Sequence, residues 1–500
     1  MENSMRFRNH PSIILENSLK TIGTIVFVFL LNFLSEIGGN GIQFADVLFL
    51  LVFLVIAIGL IIGVHTIIWS RTYIIVEDNT LIVERNTLNK KRNTIGLKTI
   101  SNVNLEQNLL EMLLRTCKVK LDTNSLSTAD QTDVNIVLKK VEAENFRSIV
   151  LAKAEGQDEN ILCEKDAVQI QTEEIPNAEC TTIIGDLGDI ILHGLFSIHI
   201  SVLILFLIMV VVQIGLLDSM SLDNIEEDLP ELIGSFFATM WFSWGIGWSI
   251  LKEFFKYLNF RIERKKDKIF LNYGLFKKIA YSVPVDKING IRLTQTPIAR
   301  VAKRYMVEII NVGMDDNENE ANTFFLPYSK VEQIKEQLHL LIPEFDGALE
   351  IKEEKQPKEI WLLSIPWLIL YFILCVATYR LVGQYTSDTF MKNSVWFVAI
   401  ALLVCRIIYK AAGFITKGIK VDKKFLKIVD GSFTKRMLFV KYDKIQYVTG
   451  KQCIIAKYFK IQKGTISLLA SMKNRMHTLP YFKETDMEQL KKYLISNNIG

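Results

Sequence analysis

One decapeptide, met three times, constrains this chain more than any other feature. It reads KTISNVNLEQ at 98–107, DKINGIRLTQ at 286–295 and DKIQYVTGKQ at 443–452, with Ile third, a branched apolar residue sixth and Gln last. Each copy follows a pair of long apolar runs at a similar distance. Such a chain folds as copies of one unit, because each copy carries the same local instructions.

The apolar runs set the environment. The chain is 50% hydrophobic yet 22% charged, so the two kinds of residue are segregated into blocks. Apolar blocks cover 21–34, 44–69, 190–217, 232–251, 360–378 and 395–412. Most reach or approach the roughly 20 residues that a helix needs to cross a bilayer. They predict six transmembrane helices in three hairpins; the first is the weakest, cut short by Glu36 and by Gly38, Gly39 and Gly41. No small-residue cleavage site follows it, so it reads as a retained helix rather than a signal peptide. The seven Trp (69, 241, 244, 248, 361, 367, 396) lie within or beside these blocks, where amphipathic rings favour the headgroup level.

Charge gives the orientation. The connections 35–43 and 218–231 hold no Lys or Arg, and 379–394 holds Arg380 and Lys392. The long polar segments are basic from Arg71, Arg261 and Lys417 onward. By the positive-inside rule both termini and all three polar segments face the cytoplasm. Cysteines 117, 163, 180, 375, 405 and 453 show no CxxC, which suits a reducing compartment and argues against a disulfide scaffold or a zinc site.

Aligning on the decapeptide gives windows 86–115, 274–303 and 431–460. Each starts at Asn86, Gly274 or Gly431, residue types that tolerate a left-handed turn, and each ends at a base, Arg115, Lys303 or Lys460. Before the windows, Leu81 and Val83, Ile269 and Leu271, Leu426 and Ile428 alternate with other residues behind a polar turn, as in a β-hairpin. After them come short β-type runs at 117–123, 306–312 and 464–470. Each unit then closes on an amphipathic helix: VEAENFRSIVLAK, SKVEQIKEQLHLL or TDMEQLKKYLI.

A hairpin, a glycine turn, a D-K-I-x-x-I-x-x-x-Q segment and a closing helix resemble the bacterial pleckstrin-homology (PH) domain of the YdbS/YdbT-like membrane proteins, in which such domains alternate with transmembrane pairs. The resemblance covers nearly the whole chain. The first copy departs most, with Thr99 for the Lys and Asn86 for the Gly. It implies that each transmembrane hairpin is followed by a cytoplasmic PH-like split β-barrel capped by a C-terminal helix. The expected order is an N-terminal segment and hairpin at 1–70, a domain at 71–151 and an acidic linker at 152–189. A hairpin at 190–257, a domain at 258–343 and a linker at 344–358 follow, then a hairpin at 359–414 and a domain at 415–500.

The resemblance also implies a role. PH-type domains act as binding platforms, so the expectation is a multi-pass protein of the bacterial cytoplasmic membrane with no enzyme activity and no cofactor. Its partners, besides the lipid bilayer, would be a protein, a peptide or anionic lipid headgroups, with a smaller single-repeat family member among them. Protection against membrane-active antimicrobial peptides is the implied physiological setting.

Candidate residues follow from charge. Segment 417–475 carries fifteen Lys and Arg against Asp422, Asp430 and Asp443, and RIERKKDK at 261–268 follows a membrane block at once. Juxtamembrane bases attract anionic lipid at about 1 kcal/mol each, which nominates Lys265, Lys266, Lys287, Lys423, Lys424, Lys427 and Lys444. Ordinary positive-inside bias is the competing explanation. Alternation that buries Leu426 and Ile428 leaves Lys427 pointing outward. For Gln107, Gln295 and Gln452 the simpler reading is that each amide bonds local backbone where the chain leaves a strand.

His65, His193, His199 and Arg406 fall in or beside apolar blocks, where ionisable groups are functional candidates. Six positions separate His193 from His199, about 240° around a helix, so they cannot share a ligand. A proton relay needs several inward acids and the blocks hold none at mid-depth, yet a transporter or pore subunit remains the alternative. P-loop, HExxH and GxSxG signatures are absent, and GGNG at 38–41 sits in a connection between blocks. A membrane-tethered basic patch without a groove-reading element also argues against nucleic acid.

Overall fold

A computed structural model describes residues 5–37, 44–77, 79–87, 89–123, 135–154, 181–198, 200–219, 225–311, 324–385, 389–470 and 472–498. His199, Cys163, Cys180 and most of the acidic linker lie outside these residues. The first repeat runs β1 (Met5–Phe7), α1 (Ser12–Ile37), α2 (Phe44–Ser70), β2 (Thr72–Val76), β3 (Thr80–Asn86), β4 (Lys90–Gly96), β5 (Ile100–Gln107), α3 (Leu109–Leu113), β6 (Thr116–Thr123), β7 (Asn135–Lys139) and α4 (Lys140–Ala154). The second runs β8 (Thr181–Ile184), α5 (Leu187–Phe196), α6 (Ile200–Ser219), α7 (Ile225–Tyr257), β9 (Arg261–Lys265), β10 (Lys268–Tyr273), β11 (Lys278–Pro284), β12 (Ile288–Gln295), α8 (Pro297–Val301), β13 (Arg304–Asn311), β14 (Phe324–Lys330) and α9 (Val331–Leu341). The third runs β15 (Glu354–Lys355), α10 (Ile360–Tyr385), α11 (Thr389–Thr416), β16 (Gly418–Val421), β17 (Phe425–Asp430), β18 (Lys435–Lys441), β19 (Ile445–Lys451), α12 (Ile454–Tyr458), β20 (Ile461–Leu468), α13 (Met472–Arg475), β21 (Met476–Lys483) and α14 (Glu484–Asn498).

The chain divides into two compact units, Met1–Glu179 with Phe270–Val283, and Cys180–Ile269 with Pro284–Gly500. In the first, β1–β4 form one antiparallel sheet and β5–β7 belong to another. Alternation on β2 and β3 turns Ile74, Val76 and Leu81 toward Val103, Leu105 and Val119, and α4 closes the core with Ala143, Phe146 and Val150. In the second unit the same core recurs: Leu426, Ile428, Leu438 and Val440 meet Ile445, Ile466 and Leu468, closed by Met487 and Leu490 of α14.

A split β-barrel was expected for each repeat; the described residues form small antiparallel sheets, and no closed barrel is found among them. The edge that would close the barrel is instead paired with the neighbouring repeat. β5 pairs antiparallel with β11, matching Gln107 to Lys278. β12 pairs antiparallel with β18, matching Gln295 to Lys435. The second pairing produces a seven-stranded sheet in the order β14–β13–β12–β18–β17–β16–β15. Backbone groups satisfied by a neighbour do not need closure.

The segment before each set of apolar helices adds a short outer strand: β1 on β2, β8 on β9 and β15 on β16. The turn glycines behave as their residue type demands, with φ of 107° at Gly274 and 103° at Gly431. Asn86 does not share that role; it ends β3 paired with Lys90.

Among the described residues, four helical stretches are long and apolar enough to cross a membrane: Ser12–Phe29, Leu51–Ser70, Ile360–Gln384 and Trp396–Thr416. A fifth arises if Leu187–Phe196 and Ser201–Gly215, bent by 67°, count as one span. That bend moves His193 out of a continuous apolar helix. α5 packs against β14, and the His193 ring lies 4.7, 5.3 and 5.1 Å from those of Tyr257, Phe324 and Tyr328.

Candidate membrane-contact site

After each decapeptide the chain makes one short helix, then a base in the left-handed conformation, then re-enters the sheet. The pairs are α3 with Arg115 (φ 52°), α8 with Lys303 (φ 54°) and α12 with Lys460 (φ 53°). A five-residue helix needs its ends satisfied. Asn108 N–H donates to Glu111 Oε2 at 2.6 Å before α3. Thr296 Oγ1 accepts from Ala299 N at 3.4 Å before α8, with Pro297 in the first turn. The repeated Gln fastens the base of the loop. Gln107 Nε2 donates to Thr116 O at 2.6 Å, and Gln452 Nε2 donates to Ile461 O at 3.3 Å. Gln295 is buried at the corresponding strand end.

What this knuckle presents is apolar. Leu113 is 80% exposed, Val301 88%, Ile454 91% and Tyr458 83%, with Leu109, Leu114 and Ile455 exposed beside them. Single exposed apolar residues are ordinary; the same position exposed in every repeat implies a covering surface. Exposed bases share each knuckle: Arg115, Arg300 and Lys303, Lys457 and Lys460. Each also neighbours the end of an apolar helix. α12 packs against α10. Thr296 Oγ1 donates to Phe196 O of α5 at 2.6 Å, and Arg300 donates to Thr416 Oγ1, the last residue of α11, at 3.2 Å. Lys118, just past α3, pairs with Glu16 of α1 at 2.9 Å.

The sequence-nominated lysines lie elsewhere. Lys423 and Lys424 are exposed in the β16–β17 turn, and Lys265 and Lys266 in the matching β9–β10 turn. From Thr416, β16 runs outward to that turn, roughly 17 Å at 3.3 Å per residue. The opposite turn returns to the helix: Phe433 packs on Tyr409 of α11 at 6.0 Å, and Thr416 Oγ1 donates to Ser432 O at 3.2 Å. Adjacent in sequence to a membrane helix is therefore not adjacent in space. Lys287 and Lys444 are half-buried beyond the far ends of β11 and β18, where Lys444 Nζ donates to Asp286 O at 3.2 Å.

Lys427 corrects the outward expectation. It is 4% exposed, its Nζ donating to Ile351 O at 2.6 Å and Glu353 Oε2 at 2.7 Å, over the Phe439 ring at 5.4 Å. The alternation is real, but segment 345–355 covers the second face of β17, with Phe345 stacked on Phe425 at 5.5 Å. Burial pushes the Glu353 carboxyl up, yet the bonds from Lys427 and Lys435 outweigh it and hold it at about 2.

Each repeat places small antiparallel sheets after apolar helices and ends on a closing helix. The signature described as "Bacterial PH domain" matches residues 26–154, 183–341 and 364–498. The chain belongs to the bacterial PH domain family. It is also similar to the UPF0699 transmembrane protein YdbT of Bacillus subtilis (strain 168), 21% identical over 355 residues, covering 68% of this chain and 69% of that protein. No solved structure matches.

In the second unit this bacterial PH protein also holds a cleft of about 510 Å³ over the β12–β18 seam, lined by Arg292, Glu308, Asp430, Arg436, Asn474 and His477 among others. Its charges are largely spoken for. Arg292 donates to Asn474 Oδ1 at 2.7 Å and lies 3.7 Å from Glu308; Lys417 pairs with Asp430 at 2.8 Å. Burial, with Arg292 close by, pushes the His477 imidazole down to about 4, so it is neutral at pH 7. Burial drives the Cys117 thiol up to about 12, which leaves it an inert core group. Among the described residues no group of three or more His, Cys, Asp or Glu could hold a metal ion.

The knuckle was missed in the sequence, although its signal was there. The aligned windows end at Arg115, Lys303 and Lys460, and the six residues before each base carry the exposed apolar side chains.

Proposed function

We propose that this bacterial PH protein is a non-enzymatic binding platform of the cytoplasmic membrane. In this reading six spans in three hairpins, with both termini cytoplasmic, hold the three domains against the inner leaflet. The knuckles enter its interface, their apolar side chains among the acyl boundary and their bases among anionic headgroups. The observation that carries the reading is the threefold recurrence of an exposed apolar–basic knuckle beside an apolar helix end. The domain faces turned from the lipid then serve a protein or peptide partner, a smaller single-repeat family member being one such partner. Protection against membrane-active peptides fits, because a protein layer on anionic lipid occupies the surface on which such peptides assemble.

Cys453 is exposed and abuts Ile454, so it tests the reading directly. In a variant retaining only that cysteine, an environment-sensitive label at 453 should be quenched by spin-labelled lipid in nanodiscs; a label at 423 should not. In intact cells Cys453 should resist an impermeant thiol reagent, while a cysteine replacing Asn224 should react. Labelling of Cys453 from outside inverts the topology. Solute or ion flux in reconstituted vesicles would favour the transporter alternative instead.

A further inference from the structure

We infer that β19 is a docking edge for an acidic β-strand of another polypeptide. The proposal deepens the platform reading and rests on it for its physiological meaning. Two decapeptide strands, β5 and β12, pair along their outer edge with the third strand of the next repeat's hairpin sheet. Among the described residues no strand pairs with the outer edge of the third decapeptide strand. β19 ends its three-stranded sheet, whose order is β19–β20–β21. Where β12 is buried along nearly its whole length, β19 exposes Gln446, Tyr447, Thr449, Gly450 and Lys451. An unpaired edge presents a row of backbone donors and acceptors, and such edges are usually blunted or used.

The two filled seams fix the register an occupant would adopt. Gln107 faces Lys278 and Gln295 faces Lys435, so Gln452 takes the corresponding place at the end of β19. One position earlier, Glu106 faces Ile279 and Thr294 faces Arg436, so neither seam opposes like charges. On β19 that position is Lys451, and across its inner edge stands Lys463.

The charge of this position selects the occupant. A second copy of this chain would offer β4, the counterpart of β11 and β18, whose Lys90, Lys91 and Arg92 are exposed. In the shared register Lys90 faces Gln452 and Lys91 faces Lys451. Like charges directly opposed across strands are destabilising, and opposite charges stabilise. The edge therefore suits a strand with Asp or Glu facing Lys451, on a partner that is not this chain.

The probe can be taken from the chain itself. A peptide of residues 433–443, the segment holding β18, carries Arg436 at the position that would face Lys451. With the full-length protein in nanodiscs, the peptide bearing Arg436→Glu should bind roughly fivefold tighter than the unaltered one, from one cross-strand charge pair. Lys451→Glu on the protein, an exposed change remote from the core, should reverse that preference. Backbone N-methylation of the peptide should abolish binding, since the contact is made by main-chain hydrogen bonds. Equal binding of both peptides, an unchanged preference in the Lys451→Glu protein, or undiminished binding after N-methylation would each overturn the proposal. So would open-ended self-association through β4. Retained peptide preference with no lipid quenching at Cys453 would sink the platform reading and leave this edge standing.

Discussion

The β16–β17 turn and the α12 knuckle are both basic, and they are opposites. Lys423 and Lys424 sit on a polar turn at the end of β16 far from α11, whereas Lys457 and Lys460 accompany Ile454 and Tyr458 beside α10. The turn follows its membrane helix after few residues, and the knuckle follows after many. The order in space is the reverse, because an antiparallel strand carries the chain away and its partner returns it. A count of bases near a membrane helix thus says little about which bases reach lipid. Apolar exposure beside the base separates the two surfaces.

The largest effect tests the interior end of that comparison. If Lys427 belongs to the domain interior, Lys427→Glu should lower stability by about 3 kcal/mol or more, since it leaves Glu353 and its replacement opposed in a buried site. A thermal melt of the full-length protein in detergent reads this; an unchanged midpoint would return Lys427 to the surface. The same pair carries a pH signature. Glu353 is held at about 2 against an ordinary value of 4.5. A depressed carboxyl contributes stability above the unfolded value and loses it as pH falls through the folded one. The melting temperature should therefore decline from about pH 4.5 toward 2, and Lys427→Met should flatten that decline.

A middle-sized effect sharpens the lipid side. Ile454→Ser with Tyr458→Ser should cut quenching of a Cys453 label by spin-labelled lipid severalfold, because each side chain loses on the order of 1.5 kcal/mol of burial drive. Retained quenching would show that α10 alone sets the depth. The smallest effect belongs to the turn. Lys423→Glu with Lys424→Glu should change stability by no more than about 0.5 kcal/mol, as exposed substitutions usually do, and leave the quenching unaltered. A loss of quenching there would break the comparison outright.

The three repeats, the apolar helices, the hairpin ahead of each glycine turn and the closing amphipathic helix were all legible in the residues. Their signals are periods and local turn chemistry, which a short window contains. Gln107 and Gln452 were legible for the same reason: an amide at a strand end finds the backbone carbonyl across the loop. The site was less so. Lys427 read as outward because alternation assigns one face to the core and cannot see segment 345–355 arriving over the other. His193 read as intramembrane because an apolar run does not announce that its helix will bend and dock on a sheet.

Sequence by itself determined that this protein would be built three times from apolar helices and small antiparallel sheets. It also determined where the hairpin sheets of the second and third repeats would turn, through Gly274 and Gly431. Only the tertiary structure decided that the sheets join across repeats rather than close into barrels, leaving β19 without an outer neighbour among the described residues. The reason is physical: strand edges pair through main-chain N–H and C=O groups that every residue type but proline carries, so side chains mark a strand's faces and leave its neighbour to geometry.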